Sequence, residues 1–76
     1  MTKKQIWQTI GLDLKRAANY LNEGRKRQSD YYLAEAKSLF EQQTLEGTMK
    51  TVRPFIKFEG CAEDILLSGT IILSRT

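Results

Sequence analysis

The sequence predicts a mainly α-helical fold, an antiparallel helical hairpin followed by a C-terminal helix. Three observations predict it. Apolar residues recur at helical spacing over residues 2–23, and a second amphipathic stretch covers about residues 29–46. Only about five residues, Gly24 to Gln28, connect the two stretches, a length that joins antiparallel neighbours.

In the first helix Trp7, Ile10, Leu14, Ala17 and Leu21 are spaced by three and four, which places them on one seam that Ile6 and Ala18 widen. Lys4, Gln8, Lys15, Asn19 and Asn22 fall on the other side. Thr2 and Gln5 are spaced for a capping box, in which each side chain meets an unpaired backbone N–H of the first turn. Asn22-Glu23-Gly24 marks the end, because glycine accepts the left-handed conformation that closes a helix.

For the second helix Ser29 is the expected N-cap, and Asp30 falls in the first turn, where the helix dipole favours a negative charge. Gly47 is the expected stop. The apolar face is Tyr32, Leu33, Ala36, Leu39 and Phe40.

Pro54 disfavours helix at Arg53, so Thr48 to Arg53 is expected to be an extended connection. An apolar element follows over about residues 54–74. Phe58, Cys61 or Ala62, Ile65, Gly69 and Ile72 fit a helical face, with Pro54 near its start. The competing reading is a short β-hairpin, giving an α+β fold, from the partial alternation of Val52, Ile56 and Phe58 and the β-branched run at Thr70-Ile71-Ile72. The helical reading fits more of the apolar positions.

Seventy-six residues support one core, so residues 1–76 are read as a single small helical domain. A chain this short is marginally stable alone, and a second subunit would help it. One cysteine rules out an internal disulfide and points to a reducing cytoplasm. The Met-Thr-Lys-Lys start lacks the apolar core of a secretory signal. The apolar stretch Ile65 to Leu73 is too short to span a bilayer, so no membrane association is expected.

The chain contains no histidine, the commonest general base and metal ligand. Cys61 has no partner for nucleophilic or zinc chemistry and reads as a buried or half-buried apolar thiol. Glu59 and Glu63 would share a helix face beside Asp64, which reads as a solvated acidic surface. The five glycines are too scattered for a nucleotide-binding loop, and Gly11, inside the first helix, reads as a point of close helix approach. No catalytic residue, cofactor or metal is therefore expected, and the protein is read as a non-enzyme.

Two surfaces remain. Trp7, Ile10, Leu14, Tyr32 and Phe40 form an aromatic and aliphatic seam of the kind that carries binding energy, to a protein partner or a second copy of the chain. The simpler reading of Trp7 is a core anchor. The other surface is the bend Arg25-Lys26-Arg27, with Lys15 and Arg16 two to three turns back and Tyr20, Tyr31 and Tyr32 flanking. Residues 1–37 carry eight Lys/Arg against four Asp/Glu, so the net charge of +3 belongs to the first half. Cations beside aromatic faces suit phosphates and unpaired bases, which makes nucleic acid the alternative partner. Asp30 beside the bend argues against a helix-turn-helix reader. The expected function is a helical interaction or assembly module that self-associates or binds a protein partner.

Overall fold

A computed structural model describes residues 2–43 and 47–75. Its elements are α1 (Lys3–Asn22), α2 (Lys26–Glu41), α3 (Gly47–Val52), a 3-10 turn over Arg53–Phe55 and α4 (Ala62–Ser74). The fold is mainly α, a helical hairpin plus a C-terminal helix, and no strand occurs among the described residues. The β-hairpin alternative does not form, and the apolar element after Pro54 is helical from Ala62 onward, so Pro54 and Phe58 precede the helix instead of opening it.

α1 begins as its sequence requires. The Gln5 amide donates to the Thr2 hydroxyl, and the Thr2 amide donates to Gln5 Oε1, which closes the capping box. At the other end Gly24 has φ +76°, its N–H donates to the Leu21 carbonyl, and the Arg25 N–H donates to the Tyr20 carbonyl. This paired closure is a Schellman motif, and it reverses the chain within three residues.

Because the reversal is so tight, α2 starts at Lys26 rather than Ser29, with Arg25 as its N-cap. Ser29 therefore does not cap its own helix. It lies fully buried against α1, where its hydroxyl donates to the Ala17 carbonyl at 2.8 Å. Asp30 is displaced with it, and the first turn of α2 contains no acid. The far end also differs, since α2 stops at Glu41 instead of about Glu46, with the Gln42 and Gln43 amides tightening onto Leu39 and Phe40. The expected final turn, residues 44–46, lies outside the described residues.

The segment expected to be extended before Pro54 is instead α3, a short helix leading into the 3-10 turn. Its buried residues, Met49 and Val52, are three apart and so face the core together. Burial of that pair outweighs the local bias that proline places on Arg53.

α1 is the central helix and packs against both α2 and α4. Trp7, Ile10, Leu14, Ala17 and Ala18 of α1 are buried with Ala36 and Phe40 of α2, Met49 and Val52 of α3, and Ile65 and Ile72 of α4. Trp7 meets Phe40 edge-on at 5.6 Å, and Phe40 meets Phe58 at 5.1 Å, extending the aromatic chain under the 56–58 segment.

The α1–α4 crossing is made by glycine. A methyl group on Gly69 would sit 2.8 Å from the Gly11 carbonyl oxygen and 3.2 Å from Leu14 Cβ, so only hydrogen fits there. The close approach expected of Gly11 thus takes place against α4. Ser68, on the same turn, is fully buried and ties the preceding loop to the helix. Its hydroxyl accepts from the Lys57 amide at 2.7 Å and donates to the Asp64 carbonyl at 2.9 Å.

Candidate functional site

The seam residues chosen from the sequence are placed inward. Ile10 and Leu14 are fully buried, and Trp7 and Phe40 are nearly so, all four within the chain's own core. They have no face left to offer a partner. Tyr32 is half-buried, packed against the edge of that core and stacked on Tyr20. The reason is geometric. The 47–58 segment folds back beneath the hairpin, and α4 closes its other flank, so the seam is consumed internally.

The basic residues are divided by the helix geometry. Lys15 lies on the α4 side, where its Cγ would touch a methyl on Gly69 at 3.2 Å. Arg16, one residue on, points about 100° away. It pairs with Asp13 at 3.2 Å, and its guanidinium stands 5.8 Å from the centre of the Tyr32 ring, a cation–π contact. Tyr32 stacks in parallel on Tyr20 at 5.7 Å and meets Tyr31 edge-on at 5.2 Å. Arg25, Lys26 and Arg27 are exposed around the bend. The structure therefore brings Arg16 and the three tyrosines together at one end of the hairpin and leaves Lys15 outside that group.

Asp13 is the polar residue that sequence patterning passed over. It falls three residues after Ile10 and four before Ala17, so it shares their face, and it is only 1% exposed. One carboxylate oxygen accepts from Arg16, while Oδ2 is buried with no hydrogen-bond partner. Burial pushes the Asp13 carboxyl up to about 6; the neighbouring charge of Glu35 on α2 adds to the rise and the Arg16 guanidinium opposes it. The spacing made this burial readable from the sequence.

The other feature outside the chosen site residues is on α4, within the apolar stretch Ile65 to Leu73. Its inward side is Ile65, Ser68, Gly69 and Ile72, whereas Leu66 is 39% and Leu67 59% exposed. Phe55 is exposed as well, and Ser68 holds its segment alongside α4, with the Ser68 hydroxyl 3.4 Å from the Phe55 carbonyl. The signal was the run Ile65-Leu66-Leu67, since three consecutive residues of a helix cannot all face one core.

The remaining candidates are plain surface. Cys61, expected to be at least half-buried, is exposed at the N-cap of α4, because the buried face of that helix begins only at Ile65. Glu59 precedes α4 and so does not share a helix face with Glu63, and Asp64 forms an ion pair with Lys57 at 3.9 Å. An open depression of about 450 Å³ lies between α2 and the following segment, lined by Lys37, Ile56, Lys57, Phe58 and Glu59. Among the described residues no group of three His, Cys, Asp or Glu side chains could hold a metal ion, and no helix is long and apolar enough to cross a membrane. Compared with protein families, curated proteins and solved structures, the chain matches none.

Proposed function

We propose that the protein is a non-enzymatic helical interaction or assembly module, and that it works by presenting the outer face of α4 to a protein partner. The observation that carries this reading is the exposure of Leu66 and Leu67 on a helix whose charged residues, Glu63 and Asp64, are confined to its first turn. A helix apolar on nearly all sides is normally covered on all sides. Adjacent outward leucines give the clustered apolar area that marks an interface rather than scattered surface residues. Trp7, Ile10, Leu14 and Phe40 serve this role from within, as the rigid core on which α4 is mounted. The exposed lone cysteine suits a reducing compartment, and cytoplasmic residence is part of the reading.

Co-purification and sedimentation at low and moderate salt test the proposal. The wild-type chain should associate, and Leu67→Glu should lose that association while keeping its helical circular dichroism. Association that survives both Leu66→Glu and Leu67→Glu would remove α4 from the proposal.

A second reading is favoured by one observation, the gathering of Tyr20, Tyr31, Tyr32 and Arg16 beside the exposed cations of the bend. Stacked rings and unpaired cations suit single-stranded nucleic acid. Asp13, Asp30 and Glu35 lie on the same part of the hairpin and weaken its positive field, so this reading ranks second. It predicts binding to a labelled single-stranded oligonucleotide that weakens steeply between about 50 and 200 mM salt. Replacing Arg25, Lys26 and Arg27 with alanine should reduce that binding. No binding at the lower salt would end this reading.

A further inference from the structure

We infer that the partner covering α4 is a second copy of the same chain, and that the two α4 helices pair antiparallel about a two-fold axis near Ser68 and Gly69. This rests on the proposal that the outer face of α4 is an interface, and deepens it by naming the occupant.

The first support is how the face treats its own polar groups. Its outward arc contains Leu66, Leu67, Thr70 and Ser74, flanked by the half-buried Ile71 and Leu73. The Thr70 hydroxyl donates to the Leu66 carbonyl at 3.0 Å, and the Ser74 hydroxyl donates to the Ile71 carbonyl at 2.8 Å. Both hydroxyl protons are therefore committed within the helix. An apolar partner can cover this arc without stranding a donor, which is the usual penalty for burying a polar side chain.

The second support is charge. α4 carries Glu63 and Asp64 in its first turn and is closed by Arg75 at its C-cap. Asp64 is engaged by Lys57, which leaves Glu63 as the outward acid. In a parallel pair Glu63 would lie beside its own copy, and like charges would repel. In an antiparallel pair centred near residue 69, Glu63 of each chain meets Arg75 of the other. The same alignment sets Leu67 of each chain against Ile71 of the other, apolar beside apolar on each side of the axis. The helix dipoles also oppose favourably. A face complementary to itself under two-fold rotation is what a closed homodimer requires.

A heterologous protein or a lipid surface could also cover leucines, but neither uses the opposed charges at the two ends of the helix. Glu63 and Arg75 are separated by 12 residues, about 18 Å of helix, so the pairing fixes both direction and register.

Analytical ultracentrifugation of the full chain from micromolar to several hundred micromolar, with the same series for variants, tests the inference. The wild type should show a monomer–dimer equilibrium and nothing larger. Leu67→Glu, at a site 59% exposed and so neutral for folding, should give a monomer with unchanged circular dichroism. Glu63→Lys should weaken the dimer severalfold, and adding Arg75→Glu should restore it, as only an antiparallel pair predicts. A wild-type monomer throughout, a dimer indifferent to Leu67→Glu, open-ended oligomers, or failure of the charge swap to restore association would each overturn the inference. If the chain is monomeric, a Leu67-dependent complex with another protein keeps the interaction reading and removes only the second copy. Leu67-dependent flotation with phosphatidylcholine–phosphatidylglycerol vesicles would replace both with a lipid surface. A monomer with no Leu67-dependent association of any kind ends both.

Discussion

The two flanks of α1 are held by opposite chemistry. Toward α4 the contact is backbone against backbone at Gly11 and Gly69, lined by Leu14, Ile65 and Ile72 and by the aliphatic stem of Lys15, with no buried carboxylate at the crossing point. Toward α2 the contact is built from side chains with polar atoms, namely the Ser29 bridge to Ala17, the Tyr20–Tyr32 stack and the buried Asp13 facing Glu35 and Arg16. A glycine crossing is close and intolerant of added volume, but indifferent to pH. A side-chain crossing tolerates changes of size and responds to protonation. One helix thus carries a fixed joint and an adjustable one, and substitutions at each should fail in different ways.

The largest effect is expected at Gly69. Alanine is the better helix former by about 1 kcal/mol, so Gly69→Ala would stabilise an exposed helix. Here its methyl meets the Gly11 carbonyl oxygen at 2.8 Å, and neither backbone can yield without separating the helices. A net loss of about 2–3 kcal/mol is expected, read from urea unfolding followed by Trp7 fluorescence and circular dichroism. A stabilised Gly69→Ala would mean that the crossing is looser than described.

Asp13 should show the contrary behaviour, a substitution that stabilises. Its carboxyl is raised from 3.8 to about 6 in the folded chain, first by burial and then by Glu35, against the pull of Arg16. Below about pH 4 both states hold the proton, and nothing is lost. Between about pH 4 and 6 the unfolded chain releases a proton that the folded chain retains, so stability falls as pH rises. Above about pH 6 that loss is complete, at most about 3 kcal/mol. Asp13→Asn removes the ionisation and gives up the Arg16 pair, so a gain of about 1–2 kcal/mol is expected near pH 7.5. The decline between pH 4 and 6 should flatten with it. A variant less stable than wild type at pH 7.5 would show that the Arg16 pair outweighs the desolvation.

Ser29→Ala deletes the hydroxyl that joins the two hairpin helices and little else. The Ala17 carbonyl keeps its place in the α1 backbone, so no orphaned acceptor is created, and a loss of about 1 kcal/mol is expected. The loss should be the same at pH 4.5 and 7.5, in contrast to Asp13→Asn, because a hydroxyl does not titrate in that range.

These positions also show which parts of the molecule can be read from residues alone. The capping box at Thr2, the glycine stop at Gly24 and the seam from Trp7 to Ala17 are local patterns, and they appear where the spacing places them. The start of α2 was misplaced because a Schellman closure lets the next helix begin at once, so a good capping residue became a buried bridge instead. α3 was missed because its helix is stabilised by burying Met49 and Val52 against distant elements, which no local window contains. The seam of Trp7, Ile10, Leu14 and Phe40 could be recognised as apolar, but whether it faced a partner or the chain's own C-terminal half depended on where α4 docks. That docking is decided by two glycines 58 residues apart in the chain.

The smallest effect, and the sharpest test of the fixed joint, belongs to Gly11. It stands at the same crossing as Gly69, yet the atoms a methyl would strike are different. They are Leu73 Cγ at 2.6 Å and Cδ2 at 2.8 Å, part of a half-buried side chain near the end of α4, whereas the Gly69 backbone oxygen stands off at 3.3 Å. A leucine at a helix terminus can change rotamer, while a carbonyl inside a helix cannot move alone. The steric cost should therefore be about the size of the helix-propensity gain of about 1 kcal/mol, leaving Gly11→Ala within about 0.5 kcal/mol of wild type. Combining it with Leu73→Ala separates the two terms. With the clash removed, the alanine at position 11 should become stabilising relative to Leu73→Ala alone, by about the propensity difference. If Gly11→Ala is instead as damaging as Gly69→Ala, and Leu73→Ala does not relieve it, then the joint is limited by backbone contact on both helices rather than on one.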